Sequence, residues 1–129
     1  MRLLLDTQVA LWWLIGSKRL DPASRRLIGA ADCHVSVASV WEVAIKHGLR
    51  RLPVAPASFR DELVEAGVTL LAVDDRHAIA SSELPTAHAD PFDRLLLATA
   101  VFEGLRLLTA DRALVELAAR DKSLPIIPA

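Results

Sequence analysis

RLLLDTQVALWWLI, residues 2–15, is the stretch that decides the fold. Arg2–Leu5 is a short apolar run of the kind that forms a buried strand, and Thr7–Ile15 has the length and composition of a helix. One acidic residue, Asp6, stands between them. A buried strand that passes directly into a helix opens a βαβ unit, in which helices cover both faces of a parallel sheet.

The rest of the chain repeats this alternation of short apolar runs and helical patterns, which predicts an α/β fold with a parallel sheet. Strands are predicted at Arg2–Leu5, Cys33–Val37, Val68–Val73 and Arg106–Leu108, with a short edge strand in Pro125–Pro128. Helices are predicted at Thr7–Ile15, Pro22–Ala31, Val40–His47, Ser58–Ala66, Arg76–Ser82, Pro91–Glu103 and Ala113–Ala119, with Gly48, Gly67 and Gly104 as stops. Leu84–Ala89 is predicted to be a loop.

Size and composition limit the possible classes of protein. The 129 residues suit a single domain, residues 1–129, that buries roughly two thirds of its unfolded surface. Apolar residues make up 53% of the chain and charged residues only 24%, which favours an apolar surface that meets a partner chain. The net charge of −1 argues against a protein that coats nucleic acid or a membrane by bulk electrostatics.

The cysteine content and the N-terminus bear on the cellular compartment. A single cysteine, Cys33, excludes an internal disulfide and a multi-thiolate zinc site, and is typical of a buried thiol in a reducing compartment. Asp6 and Gln8 interrupt the apolar N-terminus, and no small-residue cleavage site follows, so we expect neither a signal peptide nor a membrane span. These features predict a cytoplasmic protein.

Four acidic residues stand where a predicted strand ends or in the first turn of a following helix: Asp6, Glu42, Asp93 and Asp111. In open parallel sheets the functional crevice lies beyond the carboxyl ends of the strands, where the strand order reverses. Two carboxylates about 4 Å apart repel by roughly 4 kcal/mol at an effective dielectric constant of about 20. Acids that converge in such a crevice must therefore bind protons or share a divalent cation, and their oxygen ligands suit Mg²⁺ or Mn²⁺.

Helix capping is the structural alternative for each acid. Asp6 and Asp111 could each cap the helix that follows. Ser39-x-x-Glu42 fits a capping box, and the segment 90–93, DPFD, fits a cap, a proline at the first helical position and a carboxylate in the first turn. Capping leaves unexplained why all four acids stand at element ends that the topology brings together.

Four segments in this order resemble a PIN domain, in the branch typical of VapC-type toxins of bacterial type II toxin–antitoxin pairs. The segments are LLLDT (3–7), SVASVWEVAIKHG (36–48), HADPFDRLLLATA (88–100) and LLTAD (107–111). The resemblance covers nearly the whole chain, and the four acids show no departure from it. It implies a three-layer α/β/α sandwich with a central parallel sheet of four to five strands, and a Mg²⁺- or Mn²⁺-dependent ribonuclease that a cognate antitoxin neutralises.

The resemblance also implies roles for individual residues. The catalytic and metal-ligating residues would be Asp6, Glu42, Asp93 and Asp111, and the supporting residues Thr7, Asp90 and Thr109. A divalent ion held by Asp6 and Asp93 would acidify a water molecule and neutralise charge on the phosphate, while Glu42 or Asp111 orients that water. Thr7 or Thr109 would offer a hydroxyl to this water, and Asp90 would cap the helix or act as an outer acceptor.

Basic residues around the expected rim are candidates for contact with RNA phosphates: Lys46, Arg50, Arg51, Arg94 and Arg112. A solvated helix face is the structural alternative for each of them. For His47 and His88 a structural hydrogen bond is the favoured interpretation over general acid catalysis.

The adjacent residues Trp12 and Trp13 make the first helix apolar over most of its circumference, because neighbouring helical residues project about 100° apart. Either the protein's own sheet and a neighbouring helix bury both rings, or one ring contacts another chain. The resemblance favours a homodimer, and an antitoxin segment that lies in an apolar groove and blocks the acidic pocket.

Two other classes remain open at this stage. A phosphoacceptor receiver domain shares the size, the parallel fold and a Mg²⁺-binding acidic pocket, but it should carry paired acids after the first strand and a lysine after the fifth. Here only Asp6 follows the first strand, and no lysine follows Ile126–Ile127. A catalytically silent PIN-like binding module is the second alternative, and it would typically lack one of the four acids.

Overall fold

A parallel sheet in the order β3-β2-β1-β4-β5 runs through the computed structural model, which describes residues 1–84 and 90–129. The strands of this sheet are β1 (Arg2–Leu5), β2 (Asp32–Ser36), β3 (Thr69–Leu71), β4 (Arg106–Thr109) and β5 (Ile126–Pro128). Each neighbouring pair is parallel. The predicted edge strand is confirmed, since β5 pairs with β4 alone, placing Ile126 opposite Leu107.

The helices of the described residues are α1 (Thr7–Ile15), α2 (Pro22–Ala30), α3 (Val37–Gly48), α4 (Pro56–Glu65), α5 (Asp75–Glu83), α6 (Pro91–Glu103) and α7 (Arg112–Arg120). They cover both faces of the sheet. Successive side chains of β1 point to opposite faces and therefore enter different cores. Leu3 and Leu5 enter a core with residues of α1, α2, α3 and α4, whereas Leu4 enters a second core with residues of α6 and α7. The three-layer α/β/α sandwich is therefore confirmed.

The strand order reverses at β1, and this reversal positions the site. The chain runs from β1 outward to β2 and β3, then returns to place β4 on the other side of β1. The crevice of such a sheet opens at the carboxyl ends of the strands on either side of the reversal. Asp6 directly follows β1, and Asp111 lies two residues beyond β4. Both acids stand where the topology predicts a site.

Most element bounds lie within two or three residues of the predicted ones, and α3 is the largest difference. This helix begins at Val37 rather than Val40, because the hydroxyl of Ser36 accepts a hydrogen bond from the Ala38 amide at 3.0 Å and caps it. Gly48 is the last helical residue rather than a stop after the helix. Of the predicted loop Leu84–Ala89, residues 85–89, including His88, lie outside the described residues.

The aromatic pair on α1 is half-buried within its own chain. Trp12 and Trp13 both pack against the core cluster that contains Val9 and Leu11. This supports the first of the two interpretations, burial by the protein's own elements. Cys33 is 6% exposed, as expected for a structural thiol. Within the described residues, no helix combines the length and apolar character that a bilayer crossing requires.

Candidate metal centre

A cavity of about 280 Å³ lies at the carboxyl ends of β1 and β4. It is lined by Asp6, Thr7, Gln8, Leu11, Trp12, Glu42, Lys46, Asp90, Asp93, Ala110 and Asp111. Residues from four distant parts of the chain thus meet here, and all four predicted acids are among them. We call this cavity the acidic pocket.

Asp6 occupies the N-cap position of α1 but does not cap it. Its side chain makes no capping hydrogen bond. The carboxylate instead accepts a hydrogen bond of 2.5 Å from the hydroxyl of Thr109, and it is only 6% exposed. The capping interpretation of Asp6 is therefore wrong, and burial of this carboxylate needs another explanation.

The surroundings of Asp6 oppose its negative charge. Burial raises the pKa of the Asp6 carboxyl above its ordinary value of 3.8, and the negative charges of Glu42 and Asp111 raise it further. The hydrogen bond from Thr109 acts in the opposite direction. A buried carboxylate that faces two others is the environment that a bound cation stabilises, and an all-oxygen set of donors fits a hard divalent ion.

Glu42 also serves the pocket rather than a helix cap. Because Ser36 caps α3, the capping-box interpretation of Ser39 and Glu42 is wrong. The two carboxylate oxygens of Glu42 contact different partners: Oε1 accepts from the Thr7 hydroxyl at 2.8 Å, and Oε2 lies 2.7 Å from the ammonium of Lys46. Since the Thr7 hydroxyl is also 2.8 Å from the Ser39 hydroxyl, Glu42 is held in a network that joins α1 to α3.

Two of the acids do cap helices while lining the pocket. Oδ2 of Asp111 accepts a hydrogen bond from the Leu114 amide at 3.0 Å, at the start of α7. Oδ1 of Asp90 accepts from the amides of Phe92 and Asp93 at 2.9 and 3.3 Å, so its predicted capping role is confirmed. Asp93 stands at the third position of α6. Each cap fixes a helix end against the pocket, so capping and lining the site are compatible roles.

The two threonine hydroxyls contact carboxylates of the site. Thr109 is fully buried, donates to Asp6 and accepts from the Asp111 amide at 3.0 Å. Thr7 is 3% exposed and lies in hydrogen-bond distance of Glu42. The contact of either hydroxyl with a metal-associated water stays a prediction.

Most of the predicted basic residues do not line the pocket. Among the five, Lys46 alone lines it; Arg50 and Arg51 are exposed in the segment after α3. The Arg94 guanidinium donates to the Ser81 carbonyl at 2.6 Å, and Arg112 is 3.3 Å from Glu116 on the exposed face of α7. His47 lies 3.1 Å from the Leu52 carbonyl, in agreement with the structural role favoured for it.

Some lining residues were not predicted from the sequence. Gln8, Leu11, Trp12 and Ala110 complete the wall. Gln8 and Ala110 each adjoin a predicted site residue, which is a weak signal. Leu11 and Trp12 lie one helical turn beyond Thr7 and Gln8, and the spacing of one turn along α1 could have identified them.

A second cluster of possible metal ligands lies between α5 and α6. Within the described residues, Asp74, His77 and Glu103 are the only set of three whose ligand atoms lie within 4.8 Å of one another. However, these groups are already paired: Nδ1 of His77 accepts from the Asp74 amide at 3.1 Å, and Nε2 lies 2.7 Å from Glu103. Arg76 neutralises Asp74 at 2.9 Å and holds the pKa of that carboxyl at about 2. The cluster is therefore best explained as a clamp between two helices.

Within the described residues, the carboxylates of the acidic pocket are less closely spaced than this cluster. All four predicted acids nevertheless line one cavity.

Comparison with known proteins identifies the family. A family model of the PIN domain matches residues 3–120. This chain belongs to the PIN domain family. Ribonuclease VapC22 of Mycobacterium tuberculosis is 36% identical over 115 residues, which cover 86% of this chain and 88% of that protein. The family and the acidic pocket together leave the receiver domain unsupported, and all four predicted acids line the pocket.

Solved structures support the same PIN fold. VapBC2 from Rickettsia felis bound to a promoter DNA fragment matches with a TM-score of 0.68 at 14% identity, over 99% of this chain and 98% of that chain. DNA-bound VapBC from Salmonella typhimurium matches with a TM-score of 0.68 at 18% identity, over the same shares of the two chains. At these identities the likeness concerns the fold alone.

Proposed function

We propose that this PIN domain is a metal-dependent endoribonuclease whose catalytic and metal-ligating residues are Asp6, Glu42, Asp93 and Asp111. The single observation that carries the proposal is the meeting of these four carboxylates in one cavity. The raised pKa of Asp6 adds to it, because the pocket is electrostatically unfavourable without a cation. The 36% identity to a protein named as a ribonuclease supports the same activity.

The protein's own residues prepare the site for a hard cation. Thr109 orients Asp6, and Thr7 orients Glu42, so two ligands are held before any ion binds. When bound, Mg²⁺ or Mn²⁺ supplies positive charge that neutralises the scissile phosphate and makes a water molecule more acidic. Asp6 and Asp93 would hold the ion, and Glu42 or Asp111 would orient the attacking water.

A groove beside the pocket suits an antitoxin segment. It is lined by Gln8, Leu11, Trp12, Ile15, Ser17, Arg19, Leu52, Pro53 and Val54. Gln8, Leu11 and Trp12 also line the acidic pocket, so an apolar segment in the groove leads directly to the carboxylates. The VapBC assemblies named among the similar structures support a protein partner of this kind. We propose that a basic side chain of the antitoxin then enters the pocket and excludes RNA.

An exposed apolar stripe on α3 supports a homodimer. Val37, Trp41 and Ile45 on α3, and Leu49 directly after it, recur every four residues and are 44%, 62%, 38% and 61% exposed. Such a continuous face on a monomer favours contact with a second copy. Trp41→Ser together with Ile45→Ser should convert a dimer to a monomer in light scattering, whereas Ile79→Ser, which removes an exposed side chain from α5, should not. A protein that is monomeric without any substitution would contradict the proposed dimer.

RNA cleavage tests the proposed activity. The purified protein should cut RNA with Mg²⁺ or Mn²⁺ and stop when the metal is chelated. Asp6→Asn and Asp93→Asn should each lower the rate by more than about 100-fold, since even outer partners of metal ligands contribute roughly 10–100-fold. Asp61→Asn removes an exposed acid of α4 and should leave cleavage unchanged. Full activity in both pocket variants would overturn the proposal.

A further inference from the structure

The acidic pocket contains one positively charged side chain. Among the described residues that line it, five carry carboxylates and only Lys46 carries an ammonium group. Lys46 lies one helical turn after Glu42 on α3. Its charge is therefore the protein's own partial neutralisation of a strongly negative cavity.

The contact between Lys46 and Glu42 differs from an ordinary pair on a helix surface. Exposed pairs at this spacing contribute little to helix stability. Here the Glu42 side chain is 18% exposed, and its second oxygen is held by Thr7. The Lys46 side chain is 48% exposed, so the acid is fixed while the base is free to turn toward solvent.

An ammonium group and a divalent cation at the same carboxylate repel each other. Nζ of Lys46 lies 2.7 Å from Oε2 of Glu42, which is a full hydrogen bond. A cation that binds Glu42 therefore weakens the contact to Nζ and favours its release. The flexible four-carbon stem of lysine then leaves the ammonium at the rim of the pocket, where an RNA phosphate has to approach.

We propose that Lys46 is a displaceable counter-ion that couples cation binding to RNA binding. It neutralises Glu42 before the divalent cation arrives, and it contacts an RNA phosphate after the cation has released it. The inference rests on the proposed nuclease function and adds a regulatory residue to it. Coupling of this kind is reciprocal, so the cation strengthens RNA binding by the factor by which RNA strengthens cation binding.

Two binding measurements on the full chain test this coupling. Titration calorimetry gives the affinity for Mn²⁺ alone. Fluorescence anisotropy with a labelled single-stranded RNA gives the RNA affinity, either in Ca²⁺ or in chelator. A gel checks that the RNA is still intact. The variants are Lys46→Met, Lys46→Arg and Asp6→Asn. Lys122→Met is the matched control, since it removes the same charge from the exposed loop after α7, beside Arg106 at the start of β4.

Lys46→Met should bind Mn²⁺ about fivefold more tightly than the unchanged protein, because the competing ammonium is gone. In the wild-type protein Ca²⁺ should raise the RNA affinity, and Lys46→Met should lose this increase. The slope of log K for RNA binding against log salt concentration should become shallower by about 0.7, because one phosphate contact is lost. Lys46→Arg should retain part of the coupling, and Lys122→Met should retain all of it.

Unchanged Mn²⁺ affinity in Lys46→Met, or a gain with Ca²⁺ equal to that of the unchanged protein, would overturn the role of Lys46. In that event, loss of Mn²⁺ binding in Asp6→Asn would leave the nuclease proposal intact. If the wild-type protein binds no Mn²⁺, both the role of Lys46 and the nuclease proposal are overturned.

Discussion

The hydroxyl of Thr109 donates a hydrogen bond of 2.5 Å to the carboxylate of Asp6, across a separation of 103 residues. The same hydroxyl accepts from the amide of Asp111 at 3.0 Å. One buried threonine thereby joins the ends of β1 and β4 and fixes two acids of the pocket. It is a positioning residue, since it contacts carboxylates rather than the pocket volume.

Thr109→Val keeps the shape of the side chain and removes this hydrogen bond. It should lower the free energy of unfolding by about 1–3 kcal/mol, because Asp6 and the Asp111 amide both lose a buried partner. RNA cleavage should fall by roughly 10–100-fold, as for other outer partners of metal ligands. Thr109→Ser keeps the hydroxyl and should recover most of both losses in urea unfolding and cleavage assays. Equal defects in the two variants would point to packing instead.

The raised pKa of Asp6 predicts a dependence of stability on pH in metal-free protein. The folded protein holds this proton more tightly than the unfolded chain does. The stability contributed by the protonated group is therefore complete below the ordinary pKa of 3.8 and is lost as the pH rises through the raised pKa.

Asp6→Asn removes that titration and isolates its effect. The variant should be more stable than the unchanged protein at neutral pH in chelator, and the difference should vanish near pH 3. Mg²⁺ at about 100 times its dissociation constant should stabilise the unchanged protein by roughly 2.7 kcal/mol and leave the variant unaffected. Urea unfolding over a pH series measures both effects. A less stable Asp6→Asn protein at neutral pH would contradict the assigned electrostatics.

Asp90 should act through helix capping. Asp90→Ala removes the acceptor for two amides at the start of α6 and should lower the free energy of unfolding by about 1 kcal/mol. Asp90→Ser restores an acceptor without a charge and should recover that loss. If Asp90→Ser cleaves RNA at the normal rate, the residue serves only as a cap. A large loss of activity with normal stability would give its carboxylate a direct role in the pocket.

The clamp of Asp74, His77 and Glu103 should be structural. His77 is 1% exposed and also makes an edge contact with Phe102, so His77→Ala should cost roughly 2–4 kcal/mol in urea unfolding. Glu103→Gln preserves an acceptor for Nε2 and should cost less. Neither substitution should change Mn²⁺ affinity in calorimetry. A loss of Mn²⁺ binding in the stable Glu103→Gln variant would make this cluster a true metal site.

The elements with a strong local pattern could be predicted from the sequence. β1, α1 and α6 have their predicted bounds because Asp6 interrupts an apolar run, Asp90 caps α6 and Gly104 adopts the left-handed conformation that ends α6. The meeting of the four acids was also predictable, since parallel strands bring their carboxyl ends to one edge. The start of α3 was missed because Ser36 and Ser39 have equal capping potential, and tertiary packing decides between them.

Contacts between distant side chains could not be predicted from local patterns. Nothing near Thr109 in the chain indicates that its partner is Asp6. His77 carried no sequence signal, yet its ring joins Asp74 to Glu103, 26 residues beyond it. The exposure of Trp41 could not be predicted either. The helical period shows which residues share a face of α3, but it does not show which face meets the sheet.

Anomalous diffraction from crystals grown with Mn²⁺ tests the central claim most directly, since it locates the ion without any assay of activity. We expect a manganese peak inside the acidic pocket, with the carboxylates of Asp6 and Asp93 as ligands of the ion. This peak should be absent from crystals of Asp6→Asn. A peak at Asp74, His77 and Glu103 with none in the pocket would contradict it.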